Sequence, residues 1–297
     1  MLDASIDECK APNLSSIYAS GDNIKLSLSE ALCMKNLCMC FPNVISYALA
    51  ELPSIMPNLE TLEIGSEDEV VNTPMLPTKF IHLKHLNIQI TESDDYFHLA
   101  SFFDASPSLE TLFLDVSHCS FILLGWLLSW VRPSIQFPFF SIFIQVSKDK
   151  EYVDRESVFG GSSLHLRQLP EDRHVCLKLK RVEIIGFSSA KSLIDLTRCI
   201  VKKAVSLELL VLDTLDGSDR CCGEYKCRPI GKTVLEENKC RPISETVFKE
   251  ASRAVVAIRR FIEDQVPPTA KLSVLEPCTR CHSSHELAAG DMVMEGG

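Results

Sequence analysis

The chain of 297 residues has the composition of a globular protein, 46% hydrophobic and 24% charged, and is long enough to bury a large core. Its net charge of −10 is the opposite of the basic surface that nucleic-acid binding needs, so no nucleic-acid partner is expected. The charge is uneven, because residues 51–117 carry twelve acids against two lysines, whereas residues 220–260 carry ten Lys or Arg against five Glu.

The N-terminal stretch MLDASIDECKAPN has neither a basic region nor an apolar run, so no signal peptide is predicted. The thirteen cysteines are therefore interpreted as reduced thiols rather than as a disulfide framework. We expect a cytoplasmic or nuclear protein.

A leucine pattern, L-x-x-L-x-L, recurs along residues 8–215. A ragged copy lies at Leu14 and Ile17, and a weaker one at Met34, Leu37 and Met39. Clear copies follow as LETLEI (59–64), LKHLNI (83–88), LETLFL (109–114), LKRVEI (179–184) and LELLVL (207–212). Successive copies start 25, 24, 26, 70 and 28 residues apart. Steps in the twenties are typical of leucine-rich repeats, so the pattern predicts an α/β fold, an irregular leucine-rich-repeat solenoid with a parallel sheet.

Alternation along each strand sends successive side chains to opposite faces of the sheet. The leucines are then predicted to enter the core, while the residues between them line the inner, concave face of the solenoid. Solenoids bind partners across such faces, so this set is predicted to contact a protein. The predicted contacts are Thr61, Glu63, His85, Asn87, Thr111, Phe113, Asp115, Arg181 and Glu183.

Residues 117–146 form an apolar block that interrupts the repeats and accounts for much of the 70-residue step. Its first run, FILLGWLLSWV, has eleven residues, too few for a membrane span of about 20, so no membrane partner is expected. FPFFSIFIQ resembles the translated end of an intron, because pyrimidine-rich codons read as Phe, Ser, Pro and Leu and an acceptor CAG reads as Gln. The hypothesis of a retained intron stands beside that of a genuine buried hairpin or helix.

Between the last two copies, apolar residues recur at helical spacing, and Ser188 or Ser189 is predicted to cap the start of that helix. The helical positions are Leu193, Leu196, Ile200 and Ala204. Strand, helix and strand in series predict a parallel right-handed crossover.

After the repeats, the near-copy KCRPIGKTVLEEN (226–238) is followed directly by KCRPISETVFKEA (239–251), and residues 216–243 are predicted to form a loop. An amphipathic helix is predicted from about Glu245 to Gln265, ended by Pro267 and Pro268. Alternating Leu272 and Val274 predict a last strand, so residues 244–282 would cap the solenoid, with a disordered tail over 283–297.

One short pattern suggests chemistry. Cys278-x-x-Cys281-His282 matches the spelling of a c-type haem attachment, but that attachment needs an export route for which no signal is seen. The same residues are weak zinc candidates, with Cys221, Cys222, Cys227 or Cys240 available to complete four ligands. No phosphate-binding glycine loop, HExxH or GxSxG motif occurs. We therefore expect no enzyme, no catalytic residue and no cofactor, with the cysteines as ordinary thiols.

In combination, these segments resemble the leucine-rich-repeat and FBD-like C-terminal region of plant F-box proteins, especially the large grass set. The segments MPNLETLEI, SPSLETLFLDVS, LKRVEIIGFSSAKSLIDLTRCIVKK and VLEPCTRCH carry the resemblance, which covers most of residues 8–282 and leaves 117–146 unmatched. It implies a region that selects substrates for a ubiquitin ligase. Such proteins dock a Skp-type adaptor through an F-box, which is not seen in this chain, so adaptor binding is not expected.

Three hypotheses follow from the sequence. The first is a protein-binding solenoid related to F-box substrate receptors. The second is a zinc-stabilised structural module that uses the C-terminal cysteines. The third is a non-functional product of a truncated or mis-spliced gene.

Overall fold

The computed structural model of the chain describes residues 15–20, 33–66, 69, 79–90, 95–116, 156–160, 178–215 and 243–277. Within them, eight strands form one parallel sheet in which every strand pairs with the next one along the chain. The strands are β1 Ser16–Ser20, β2 Asn36–Cys40, β3 Thr61–Ser66, β4 His85–Ile90, β5 Thr111–Asp115, β6 Arg181–Ile185, β7 Leu209–Asp213 and β8 Lys271–Leu275. The fold predicted from the leucine pattern is therefore confirmed, including the strands at its two weakest copies.

The pairing register follows the leucine pattern. Leu62 of β3 lies opposite Leu86 of β4, which lies opposite Leu112 of β5, and all three are almost fully buried. A shift of one residue would turn every apolar side chain of a strand to the other face, so burial on one side fixes the register strongly.

Short helices follow most of the strands and cover one face of the sheet. They are α1 Val44–Ala50, α2 Leu52–Ile55, α3 Ala100–Ala105 with a preceding 3₁₀ helix Tyr96–Leu99, α4 Lys191–Lys203, and α5 Glu245–Phe261 with a following 3₁₀ helix Glu263–Gln265. Most of their buried apolar side chains and the inward residues of the strands belong to one core cluster, whereas Ala251 of α5 packs with Leu215 and Ile243 in a smaller second cluster. One repeat cannot bury its apolar edge alone, so this shared core is what holds successive repeats together.

The 70-residue step adds no strand to the sheet. β5 and β6 are hydrogen-bonded neighbours, with Leu112 opposite Val182 and Leu114 opposite Ile184. On the helical side, the 3₁₀ helix before α3 packs directly against α4, which belongs to the crossover after β6. In the sheet, β6 therefore takes the position that directly follows β5, as in a single repeat. The block 117–146 itself lies outside the described residues.

The predicted serine cap of α4 is wrong. The N-cap residue is Ala190, and no side chain caps the helix. Ser189 instead donates its backbone N–H to Glu250 Oε1 of α5 at 2.7 Å, and its hydroxyl lies 2.8 Å from that of Ser157. Ser189 therefore connects the start of α4 to the short segment 156–160 and to α5. These contacts between distant segments take the place of the predicted helix cap.

The C-terminal helix and strand are present as predicted. α5 is capped by Ser244, whose hydroxyl accepts from the backbone N–H of Val247 at 3.3 Å. β8 adds to β7 in parallel, and Thr214 donates its hydroxyl to the Leu275 carbonyl at 3.0 Å. The predicted loop over 216–243, apart from its last residue, and the tail over 283–297 lie outside the described residues, and the division of the chain into domains stays a prediction.

Candidate functional site

The sheet has a second face, opposite the helices, which we call the open face. It consists of the side chains at the first, third and fifth positions of the strands, aligned in three rows by the register. The first row is Ser16, Asn36, Thr61, His85, Thr111, Arg181, Leu209 and Lys271; the third-position row is Tyr18, Cys38, Glu63, Asn87, Phe113, Glu183, Val211 and Ser273. From β2 onward, the fifth-position row is Cys40, Gly65, Gln89, Asp115, Ile185, Asp213 and Leu275.

All nine residues predicted to contact a partner lie on the open face. His85 and Arg181 are exposed, and the other seven are half-buried between neighbouring strands. The structure thus brings the nine together on one surface, because strands that pair in register place equivalent positions side by side. Their role as contacts stays a prediction.

Hydrogen bonds between strands organise part of this surface. Asn36 donates its side-chain amide to Ser16 Oγ at 3.1 Å, and the His85 Nδ1 and Thr111 Oγ1 atoms are 2.8 Å apart. Within β6, Arg181 Nη2 donates to Glu183 Oε2 at 3.1 Å. The exposed arginine of the face is therefore engaged by a carboxylate two residues along its own strand.

Cys38 reports the electrostatic environment on β2. Burial raises the pKa of its thiol to about 12, and the carboxylate of Glu63 on β3 and the neighbouring Cys40 add to the increase. Because of this raised pKa, the thiol of Cys38 is protonated at physiological pH. It is therefore expected to react slowly, since only the thiolate is nucleophilic. Gly65 on β3 leaves room for the side chain of Cys40, because a Cβ at Gly65 would lie 3.1 Å from Cys40 Sγ.

The open face has two chemically different halves. On β1–β4 its side chains are mostly polar and uncharged, and Glu63 is the one charged residue among those described there. On β5–β8, apolar and charged side chains alternate from strand to strand. The sequence-based prediction missed the apolar positions Ile185, Leu209, Val211 and Leu275, although the alternation that identified Glu183 continues through them.

The sequence-based prediction also missed a row of charged residues that lies at the start of the strands. The residue before each strand from β2 to β7 alternates in sign, and we call this row the edge ladder. Its members are Lys35, Glu60, Lys84, Glu110, Lys180 and Glu208. Each one from Glu60 onward donates its backbone N–H to the carbonyl of the preceding member at 2.8–2.9 Å.

Ion pairs connect the first three members of the edge ladder, Lys35, Glu60 and Lys84. Glu60 lies 2.9 Å from Lys35 Nζ and 2.9 Å from Lys84 Nζ. Hydrogen bonds from the two lysines, Lys35 first, lower the pKa of Glu60 to about 2. The hydrogen bond to Glu60 raises the pKa of Lys84, and the charge of Glu110 contributes to that increase. The signal is visible in the sequence as the first x of each L-x-x-L copy.

The candidate metal residues Cys278, Cys281 and His282 lie outside the described residues, so their role stays a prediction. In the part of the chain that the structure describes, no group of three or more His, Cys, Asp or Glu residues could hold a metal ion. Searching the same residues for a helix with the length and apolar character of a membrane span finds none.

Comparison with protein families gives a match over most of the chain. The model of a family described as At1g61320/AtMIF1, LRR domain, matches residues 4–122 and 127–279, which together make up most of the chain. No curated protein and no solved structure matches. The matched ranges include all eight strands and both halves of the open face.

Proposed function

Because the chain belongs to the family described as the At1g61320/AtMIF1 LRR domain, we propose that it is a protein-interaction scaffold whose open face binds another protein. The observation that carries this proposal is the alignment of eight parallel strands, which presents three rows of side chains side by side. Extended surfaces of stacked repeats are the usual binding surfaces of solenoid proteins.

The composition of the open face supports a protein partner. Phe113 and Arg181 belong to residue types that are enriched among the strong contacts of protein interfaces. Val211 and Leu209 add apolar area on the neighbouring strand, while Asn36 and Asn87 provide amide groups that can pair with a polypeptide backbone. Apolar and aromatic side chains that lie beside polar groups are a mixture that protein interfaces commonly contain.

The finer proposal is that this surface selects a substrate for a ubiquitin ligase. It is supported by the resemblance of the repeats and of the C-terminal helix and strand to plant F-box proteins. It is tested separately from binding itself, by asking whether a captured partner is ubiquitylated in a reconstituted reaction in which an F-box fused to this protein docks a Skp-type adaptor. The same reaction without the adaptor is the control, and equal ubiquitylation in both would contradict a ligase role.

The binding proposal is tested by blocking the open face. Asn87→Arg places a long side chain at the centre of this surface. Val205→Arg is the matched control, because Val205 is 59% exposed in the turn after α4 and lies off the open face. Both proteins, immobilised, are compared with wild type for the proteins that they retain from a plant extract, quantified by mass spectrometry.

We expect a set of proteins that wild type and Val205→Arg retain equally and that Asn87→Arg loses by about tenfold or more. The unfolding curves of Val205→Arg and wild type should coincide, and that of Asn87→Arg is measured to show that the variant still unfolds cooperatively, because Asn87 is half-buried. An identical retained set on all three proteins would refute the open face as the binding surface.

A further inference from the structure

We propose that the edge ladder is an interface between two copies of this chain, which meet edge to edge with their strand orders reversed around a twofold axis. The observation that carries this inference is the order of the charges along the ladder. The interface lies at the start of the strands and not on the open face, so the inference goes beyond the proposed function.

The edge ladder alternates in sign without interruption from β2 to β7. It begins with a lysine and ends with a glutamate, and the residues before β1 and β8 are the uncharged Ser15 and Ala270. Because the strands pair in register, successive members are about 4.8 Å apart and the row extends over about 24 Å. All its members are exposed or half-buried. The ladder is therefore a regular and accessible row whose charges sum to zero.

An alternating row with an even number of members is complementary to its own reverse. When a second copy faces the first with its strand order reversed, β4 lies opposite β5, and Lys84 faces Glu110 of the second copy. The remaining contacts are Glu60 with Lys180, and Lys35 with Glu208. A second copy with the same strand order would instead place every member against its own charge. The charges therefore select one of the two twofold arrangements, and each contact in it occurs twice.

This arrangement also fixes the direction of the two open faces. A twofold axis that reverses the strand order of two facing edges is perpendicular to the sheets, so both open faces look to the same side. The rejected arrangement, with its axis along the edge, would direct them to opposite sides. The dimer thus presents two open faces next to each other, and a partner with two binding segments would gain avidity from it.

The two halves of the edge ladder differ in how far they are neutralised within the chain. The first three members are joined to one another by ion pairs. In the part of the chain that the structure describes, Glu110, Lys180 and Glu208 form no ion pair. The twofold axis brings the first half of each copy against the second half of the other. Each of these three residues then faces an opposite charge.

Apolar side chains lie near the centre of the same edge. Ile81 is 59% exposed in the turn that leads into β4, and Pro107 is exposed at the equivalent position of the turn that leads into β5. Because β4 of one copy faces β5 of the other, Ile81 comes near Pro107 of the second copy on both sides of the axis. Exposed ion pairs are individually weak, so an apolar contact at the axis strengthens the interface.

Fluorescence-detected sedimentation velocity of the intact chain tests this inference. The salt concentration is about 0.15 M, because the Debye length of about 8 Å then screens the distant charges that give each copy its net −10. The variants are Glu110→Lys, Lys84→Glu and Lys180→Glu. Labelled Glu110→Lys is measured alone and titrated with each of the other two variants.

The two mixtures are matched controls for each other, because their net charges are the same. In Glu110→Lys with Lys84→Glu, every facing pair is again of opposite sign. In Glu110→Lys with Lys180→Glu, two facing pairs are of like sign. A general attraction between unlike net charges would favour both mixtures equally, whereas the reversed ladder favours only the first.

We expect a concentration-dependent dimer of wild type, and dimers about tenfold or more weaker for each variant alone. The first mixture should associate as strongly as wild type, and the second about tenfold more weakly than the first. Recovery in the first mixture would show that Glu110→Lys is folded.

Two mixtures that associate equally would overturn this inference, as would a wild type that stays monomeric throughout the concentration range. A monomeric wild type whose proteins retained from the extract change in Glu110→Lys would assign the ladder to another protein, and would also overturn it. Retention by the open face is measured separately with Asn87→Arg, so the proposed function would stand in all these cases.

Discussion

Replacing Glu250 by alanine is predicted to weaken the attachment of α5 to the repeats. Glu250 Oε1 accepts the backbone N–H of Ser189 at 2.7 Å, and Glu250 Oε2 lies 3.6 Å from Arg253 Nη1. The side chain of Glu250 is only 13% exposed, and Ser189 is 1% exposed. The change therefore leaves a buried N–H donor without its acceptor.

The expected cost follows from these contacts. A hydrogen bond to a charged group contributes about 1.5–3 kcal/mol, and leaving a buried donor unsatisfied costs about 1–3 kcal/mol. The two ranges describe the same loss, so they are not added. The pair with Arg253 adds little, because the arginine is half-exposed and such pairs contribute at most about 1 kcal/mol. We expect a total of about 2 kcal/mol for Glu250→Ala. Glu250→Gln keeps an acceptor oxygen for Ser189 and should cost less than about 1 kcal/mol.

Amide hydrogen exchange measures this prediction locally, since a solenoid can open at one end without unfolding as a whole. A loss of about 2 kcal/mol corresponds to about 30-fold faster exchange for the protected amides of α5. Amides of β3 and β4, far along the sheet, should exchange as in wild type. Equal exchange in the alanine and glutamine variants, or an increase below about threefold in the alanine variant, would refute the assigned role of this hydrogen bond.

Three further predictions address other parts of the molecule. The pKa of Glu60 is lowered from 4.5 to about 2, so its ionised carboxylate stabilises the folded state above pH 4.5, and this stabilisation is lost as the pH falls through about 2. The free energy of unfolding of Glu60→Gln should therefore depend less on pH between these limits than that of wild type. Cys38 should be alkylated slowly at pH 8–9, and Glu63→Gln, which removes a cause of its raised pKa, should accelerate the reaction in a mass-spectrometric time course. Deleting residues 117–146 should leave the cooperative unfolding transition and the exchange protection of β5 and β6 intact, whereas loss of folding would show that the block belongs to the core.

The sheet was predictable because its cause is local and repeated. Each copy of the pattern contains its own strand, and the spacing of copies in the twenties implies stacking. Even the copy at Met34, Leu37 and Met39, in which methionine replaces leucine twice, contributes Leu37 and Met39 to β2, in register with β3. Apolar character at fixed positions, rather than leucine itself, is what the core requires.

Contacts between distant segments were not predictable from the same signal. Ser189 has the composition and position of a helix cap, but it donates to Glu250, 61 residues away in the sequence. Nothing local indicates that choice, because it depends on where α5 docks. The edge ladder is an intermediate case: Glu60 and Lys84 are far apart in sequence, yet their alternation is visible once the copies are aligned. The apolar half of the open face, including Val211, was missed because the pattern was followed only as far as β6.

The long crossover between β5 and β6 shows how little a solenoid depends on the length of its connections. Closing a loop of 70 residues instead of about 25 costs about 1 kcal/mol more, because each doubling of length adds about 0.6 kcal/mol. The buried pairs Leu112–Val182 and Leu114–Ile184 across the junction oppose this, since full burial of one such side chain is worth about 1.5–3 kcal/mol. Strand pairing therefore continues through the insertion whether its residues are coding sequence of long standing or a translated intron. The continuity of the open face from β5 to β6 follows from the register alone.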